Sequence, residues 1–262
     1  MKILITGARS GIAFLTGITL ASRNHFVYMT THTEKEAKRL KEIINALDLK
    51  IEVFKLDITN IKDREKLEKL DIDVLINHAG IGVGGSVLDV PIEKARENFE
   101  VNYFSSYDIV KRVTNKLIKE NKKGKIIIMS SISGITSIPF LGTYSATKAA
   151  ISNMANALRT ELKIINSNVK VILIEPGAYK TGFNQIMIND IDNNIKEDSV
   201  FYDEKDKIYY FLTNLFNLIE SKKINSIVVK IIEAVERENP KKAYRAPYLQ
   251  KMFTQFYLLL KK

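Results

Sequence analysis

The sequence predicts a doubly wound α/β fold, a parallel sheet of about seven strands covered by helices on both faces, in a single domain over residues 1–262. Two observations carry this expectation. Short, near-continuous apolar runs recur along the chain, and each is followed by a segment with helical periodicity. No repeat, low-complexity stretch or Pro/Ser-rich linker divides the chain. Helical crossovers between parallel strands are right-handed, which leaves few other topologies.

Taken in order, KILIT (2–6) reads as a strand that runs into a glycine-rich turn, with a helix over 12–23. HFVYMTT (25–31) is a second strand, followed by the amphipathic EKEAKRLKEIINAL (34–47). IEVFKLD (51–57) and a short charged helix at 61–70 come next, then DVLIN (73–77) and the loop HAGIGVGG. Pro91 suits the start of a long helix reaching about Lys122. KIIIMSS (125–131), a helix over 144–165 and VKVILIEPG (169–177) complete the regular alternation. Residues 182–224 break the pattern with Asn/Asp-rich turns and many aromatics; they follow a strand's carboxyl end, where open α/β sheets bind ligands, and are expected to form a substrate lid. A helix at 226–237, a short strand near 243–245 and an amphipathic tail expected to pack within the chain close the sequence.

Composition excludes several classes. There is no cysteine, so disulfide frameworks, thiol catalysis and Cys-ligated metals are out, and no metal site is expected. The start MKILITGARSG is too short in its apolar run for a signal segment, and no run approaches a spanning helix, so a cytoplasmic protein without an integral membrane segment is expected. The net charge of +10 is spread along the whole chain without a nucleic-acid module, and no nucleic-acid partner is expected.

Two motifs carry chemistry. TGARSGIA (6–13) places Gly7 and Gly11 between a strand and a helix, where the N–H groups of Ser10, Gly11 and Ile12 can face a phosphate. The second is Tyr-x-x-x-Lys, which stacks a phenol and an ammonium one helical turn apart. It occurs three times, at Tyr107, Tyr144 and Tyr257, so the spacing alone does not select one.

TGARSGIA, NHAG at 77–80, Ser131 thirteen residues before Tyr144, YSATK at 144–148 and PGAYKT at 176–181 together resemble the short-chain dehydrogenase/reductase family, on a Rossmann-type fold. FEVNYFS, SSISG and IPFLGTYSATKAA look most like its hydroxysteroid-dehydrogenase-like branch. The resemblance selects Tyr144 and implies a hydride transfer between a nicotinamide cofactor and an apolar ketone or secondary alcohol. Tyr144 would be the general acid/base, Ser131 the partner of the same oxygen, and Lys148 both the ribose ligand and the charge that lowers the phenol's pKa. Asn102 would hold a water relay behind the lysine. Tyr107 and Tyr257 are then contact or packing residues.

Cofactor contacts implied by the resemblance are the turn from Gly7 to Ile12, Asp57 at the adenine, Asn77, Ala79 and Gly80 near the adenosine ribose, and Pro176, Gly177 and Thr181 near the nicotinamide. Asp57 has a second reading as the cap of the helix near Ile61. His78 departs from the family's second asparagine, and Ala13 from its third glycine. No acid ends the second strand, and Arg9, Thr31 and His32 suit a 2′-phosphate, so NADP is favoured with NAD possible. Ser133, Ile138, Phe140, Tyr179 and Phe183 are expected to line the substrate pocket. A homodimer or homotetramer through the two long helices is expected. The alternative is a non-catalytic dinucleotide-binding regulator on the same fold.

Overall fold

The apolar runs pair into one parallel sheet. A computed structural model describes residues 1–260 and contains seven strands: β1 (Lys2–Ile5), β2 (Phe26–Thr31), β3 (Ile51–Lys55), β4 (Val74–Asn77), β5 (Gly124–Met129), β6 (Val169–Pro176) and β7 (Ala243–Ala246). Their order is β3-β2-β1-β4-β5-β6-β7, with every pairing parallel. The chain starts at β1, winds outward to β3, then returns to wind the other way from β4. That reversal opens a crevice beyond the carboxyl ends of β1 and β4.

Register builds the core in two layers. Met29, Ile5, Ile76, Ile127 and Ile172 lie opposite one another along one face of the sheet. Tyr28, Leu4, Leu75, Ile126 and Val171 do the same on the other face. The first face is covered by α1 (Gly11–Ser22), α2 (Glu34–Asn45) and a late helix over Asn225–Glu236. The second is covered by the helices that follow β3, β4 and β5.

The helices on this side are α3 (Ile61–Glu65), α4 (Ile92–Phe99), α5 (Ser106–Lys119) and α6 (Gly142–Ile164), of which α5 and α6 pack on the sheet itself. The single long helix expected from Pro91 is interrupted. Residues Glu100–Ser105 form one wide π turn between α4 and α5, and Asn102 sits in it, 2 % exposed. The expected strand ending at 131 stops at Met129; Ser131 is the extended residue that opens a short turn over Ile132–Gly134.

After β6 the expected irregular insert is helical: α7 (Phe183–Asn194) and α8 (Lys205–Ile219). The late helix α9 (Asn225–Glu236) and β7 follow, and α10 (Tyr248–Leu260) ends the described chain. Lys261, the partner in the third Tyr-x-x-x-Lys, lies outside the described residues. α7 and α8 share a third apolar cluster with Leu141, Tyr144 and Ala178. That cluster lies over the crevice and not within the sheet's own core.

Gly7 is where β1 turns toward α1. Its φ is +68°, and a Cβ there would stand 2.9 Å from the Ala79 backbone. Gly7→Ala therefore combines left-handed strain with a backbone clash, and should lower stability by about 2 kcal/mol in urea unfolding.

Candidate active site

The carboxyl ends of β1, β4, β5 and β6 surround a cleft of about 860 Å³. At one end it is lined by Thr31, His32 and Asp57; in the middle by Gly7, Gly11, Ala79 and Gly80; at the other end by Ser131, Tyr144 and Lys148. The residues arrive from the tips of successive strands and, for Gly11, Tyr144 and Lys148, from the helices α1 and α6 that follow them, so parallel pairing brings residues far apart in sequence together.

The middle is set by two polar anchors. Thr6 Oγ1 accepts hydrogen bonds from His78 N at 2.9 Å and Ala79 N at 3.0 Å, and donates to Asn77 Oδ1 at 3.5 Å. Asn77 is buried behind this turn and does not line the cleft. From the helix side, Asn102 Oδ1 accepts from Ile81 N at 2.8 Å, while its Nδ2 donates to Ile81 O at 2.8 Å and to Thr147 Oγ1 at 3.0 Å. Asn102 thus ties the β4 loop to α6. It lies behind the cleft wall, beyond direct reach of a ligand in the cleft.

Arg9, Ser10 and Ile12 also line the cleft, where α1 begins on Ser10 without a side-chain cap. Its first-turn N–H groups are left for an anion. Ala13, the expected departure, is buried in the core at that helix's first turn. At the far tip Arg9 is paired with Glu36 at 2.6 Å, and Glu36 also closes a capping box with Thr33 at the start of α2. Thr31 is buried, its hydroxyl donating to Thr33 O at 3.1 Å. His32 stays exposed, with Nε2 3.5 Å from the Asp57 carboxylate. Asp57 does not cap α3, whose N-cap is Asn60 accepting from Lys62 N. It accepts instead from the Thr59 N–H at 2.9 Å and the Thr59 hydroxyl at 2.7 Å.

The chemical end is built on α6. Lys148 is 6 % exposed and donates to Met129 O at 3.1 Å, with its Nζ 5.7 Å from the centroid of the Tyr144 ring. Ser130, next to the expected serine, locks the helix to the strand: its Oγ donates to Lys148 O at 3.0 Å and meets Ser152 Oγ at 2.6 Å. The tandem serines in SSISG signalled a polar junction, but spacing alone could not say which faced the cleft. Both line it, but the Ser130 hydroxyl is engaged with α6, whereas the Ser131 Oγ accepts from Ser133 N at 3.1 Å and lies 3.5 Å from Pro176 O.

Electrostatics here run against the expectation of an acidified phenol. Burial pushes Tyr144 up to about 12, with the Ser131 hydrogen bond drawing it partly back. Burial also lowers Lys148 to about 8. The reason is geometric: the ammonium bonds a backbone carbonyl rather than the phenolic oxygen, so loss of water outweighs its pull on the phenol. His78 is lowered to about 4 by burial and then by Lys148, so it is neutral at pH 7, and its Nδ1 is buried without a hydrogen-bond partner among the described residues.

The apolar side of the cleft is formed by Ile138, Phe183, Ile186, Met187, Phe216 and Ile219. Phe183 packs on Tyr144 with ring centroids 5.7 Å apart. Phe140, expected in this wall, does not line the cleft and packs edge-on against Phe201 at 5.5 Å. Tyr179 is in the wall, but its hydroxyl is bonded to Ser226 at 2.7 Å. Pro176, Gly177 and Thr181 border the same end. Gln250 of α10 was not anticipated: its Oε1 accepts from Ala178 N at 2.7 Å and its Nε2 donates to Ile219 O at 2.7 Å. A Cβ on Gly177 would fall 1.9 Å from that Oε1, so any larger residue there would displace the amide. No local pattern in the sequence could signal a contact across 72 residues. Tyr107 is half-exposed on α5, stacked on Tyr103 at 6.2 Å and away from the cleft. No cluster able to hold a metal ion occurs among the described residues.

Comparison with known proteins agrees with this arrangement. The family model for short chain dehydrogenases matches residues 1–191. The chain belongs to the short-chain dehydrogenase/reductase family. It is an oxidoreductase fold built for nucleotide binding. It is 32 % identical to the 3-ketodihydrosphingosine reductase of Bacteroides thetaiotaomicron, over 91 % of this chain and 84 % of that one. It is 33 % identical to the NADPH-dependent 3-dehydrocapnine reductase of Ornithobacterium rhinotracheale, over 68 % of this chain and 65 % of that one. Among solved structures, a short-chain dehydrogenase/reductase from Burkholderia phymatum in complex with NAD superposes with a TM-score of 0.83 at 18 % identity, covering 100 % of this chain and 95 % of that one.

Asn102 bonds both backbone groups of Ile81, and Asn98 Nδ2 also donates to Ile81 O at 3.0 Å, so Asn102→Ala leaves the Ile81 N–H unpaired in a half-buried loop. Chemical unfolding should show a loss of about 1–3 kcal/mol.

Proposed function

We propose that this protein reduces a ketone carried on an apolar chain, using NADPH. The observation that carries the proposal is a buried phenol at Tyr144 that shares one cleft with Ser131, Lys148 and an uncapped helix N-terminus. The residues present fit a dinucleotide. The N–H groups of Gly11 and Ile12 would meet the pyrophosphate, and the turn made tight by Gly7 lets it approach the backbone. Asp57, Ala79 and Gly80 would border the adenosine, with Asn77 supporting them from behind. Pro176, Gly177 and Thr181 would border the nicotinamide. A bound nicotinamide supplies the hydride to the carbonyl carbon.

The chain's own residues do the rest. Ser131 Oγ orients the carbonyl oxygen, and Tyr144 delivers its phenolic proton to that oxygen as the alcohol forms. A phenol held near 12 by burial remains protonated across the working range, which suits reduction. Lys148 holds the ribose and, once Tyr144 has lost its proton, stabilises the phenolate across the turn. Asn102 acts at one remove, positioning the β4 loop and α6. In oxidation of the corresponding alcohol the same proton would return to Tyr144.

NADP is favoured because β2 ends on Thr31 without a carboxylate, with exposed Arg9 and His32 beside the tip. A 2′-phosphate would draw Arg9 away from Glu36. The relatives' names denote reductions of 3-keto compounds, one of them NADPH-dependent. The apolar wall supports a lipid-like chain beside the reacting carbonyl, with α7 and α8 as its lid. Exposed Phe104 and Tyr107 on the long α4–α5 segment support a homodimer or homotetramer, and the lack of cysteine suits the cytoplasm. A purely regulatory role has no observation in its favour, since Tyr144, Lys148 and Ser131 all meet in the cleft.

Purified protein should oxidise NADPH, in preference to NADH, when given 3-ketodihydrosphingosine. Tyr144→Phe should lower kcat about 100-fold or more, and failure of that loss would remove Tyr144 from the chemistry. The rate should fall as pH rises through about 8, because Lys148 loses its charge there. Tyr144, held up near 12, should add no descending limb below that.

A further inference from the structure

The outer face of α10 is apolar and uncovered in the chain. Tyr248, Leu249, Met252, Phe253 and Phe256 recur at helical spacing and are all exposed, Leu249 by 80 % and Phe253 by 67 %. The inner face is tied down by the buried Thr254 and by the two Gln250 bonds to Ala178 and Ile219. The expectation that this tail packs within the chain therefore holds for one face of the helix and fails for the other.

A basic pocket lies along one edge of the apolar face. Lys251 and Gln255 of α10 line a cavity of about 190 Å³ with Lys230, Lys241, Tyr244 and Arg245. Lys230 is answered by Glu233 at 2.8 Å and Arg245 by the buried Glu175 at 2.7 Å. Among the described residues, neither Lys241 nor Lys251 stands within ion-pair distance of a carboxylate. Four cations thus share a concave site with two neighbouring carboxylates, beside a strip of bare aromatic and aliphatic side chains.

We propose that α10 docks on an anionic lipid surface, lying in the interface with its apolar strip among the acyl chains and a phosphate headgroup in the basic pocket. Amphipathic helices with cations beside an aromatic and aliphatic face bind membranes in this way. Charge decides between the possible occupants. A second copy seated on the same face would bring one lysine-rich edge against another in a chain of net charge +10, whereas an anionic surface complements both parts of the face. The same helix also lends Gln250 to the cleft lining, so the docked face lies one helix diameter from an apolar substrate wall. No described helix is long and apolar enough to cross a membrane, which leaves α10 at the surface.

The inference stands apart from the reaction proposed above, because docking is measured without turnover. The experiment is co-sedimentation of the full chain with vesicles of phosphatidylcholine alone and of phosphatidylcholine mixed with phosphatidylglycerol, at physiological salt. The protein should pellet with the mixed vesicles about tenfold more tightly than with the neutral ones. Leu249→Glu with Phe253→Glu should abolish pelleting while circular dichroism and melting temperature stay unchanged, since both side chains are exposed. Lys241→Gln and Lys251→Gln should each weaken binding to mixed vesicles roughly fivefold and leave the neutral vesicles unaffected. Equal affinity for both vesicles, no pelleting with either, or a dimer seen by gel filtration that the paired glutamates dissolve without any vesicle binding would each overturn it.

Discussion

The site depends on keeping a phenol and an ammonium out of water on successive turns of one helix. Tyr144 and Lys148 are both nearly buried, and their proton affinities move apart from the ordinary values in opposite directions for the same reason: each loses hydration of its charged form. Everything that places α6 serves that burial. Ser130 and Ser152 bolt the helix to the end of β5, Asn102 bolts it to the loop after β4, and Phe183 packs on the phenol from the start of α7. Parallel strand pairing makes these anchors converge, since it sets the tips of β4, β5 and β6 side by side. The polar anchors are themselves paired, which is the condition for leaving them in a low-dielectric wall.

The helices α7 and α8 and the C-terminal helix form a second layer over the cleft. α7 and α8 contribute an apolar cluster that includes Tyr144, so the apolar wall of the cleft is continuous with the surroundings of that phenol. Gln250 links α10 to the start of that layer at Ala178 and to its end at Ile219. A change in the seating of α10 would be felt at both points. Ion pairs at the Thr31–Asp57 end of the cleft, such as Arg9 with Glu36, are exposed, in contrast to the buried Tyr144–Lys148 end.

What the sequence disclosed follows from the range of each interaction. Strands and covering helices are local patterns of apolar spacing, and the architecture, its seven strands and their winding could be read from them. The motif residues stood just beyond strand tips or, for Tyr144, in the first turn of the helix that follows, so the doubly wound topology brought Gly7, Gly80, Ser131, Tyr144 and Thr181 to one cleft without knowledge of any contact. Features set by contacts remote in sequence stayed hidden. The π turn at Glu100–Ser105 has an unremarkable helical sequence; its shape accompanies the Asn102 bonds to Ile81 and Thr147. The helices α7 and α8 were masked by Asn- and Asp-rich turns, and Phe140 packs outside the cleft on Phe201, which comes from the segment between them. Asp57 was ambiguous in sequence because an aspartate after a strand can cap either a turn or a helix; Asn60 took the helix. The direction of the Tyr144 shift was beyond reach, since a four-residue spacing reports a charged neighbour but carries no information on how far water is excluded.

The most direct measurement is the ionisation of Tyr144 itself, by carbon NMR of protein labelled at the tyrosine Cζ, with the Tyr144→Phe spectrum identifying the resonance. Burial as the governing effect predicts a Tyr144 signal that keeps the chemical shift of a neutral phenol to pH 10 and beyond, while exposed tyrosines begin to titrate near 10. A Tyr144 signal that moves to the phenolate position below pH 8 in the protein alone would contradict the account, and would make the Lys148 charge the dominant influence in the site.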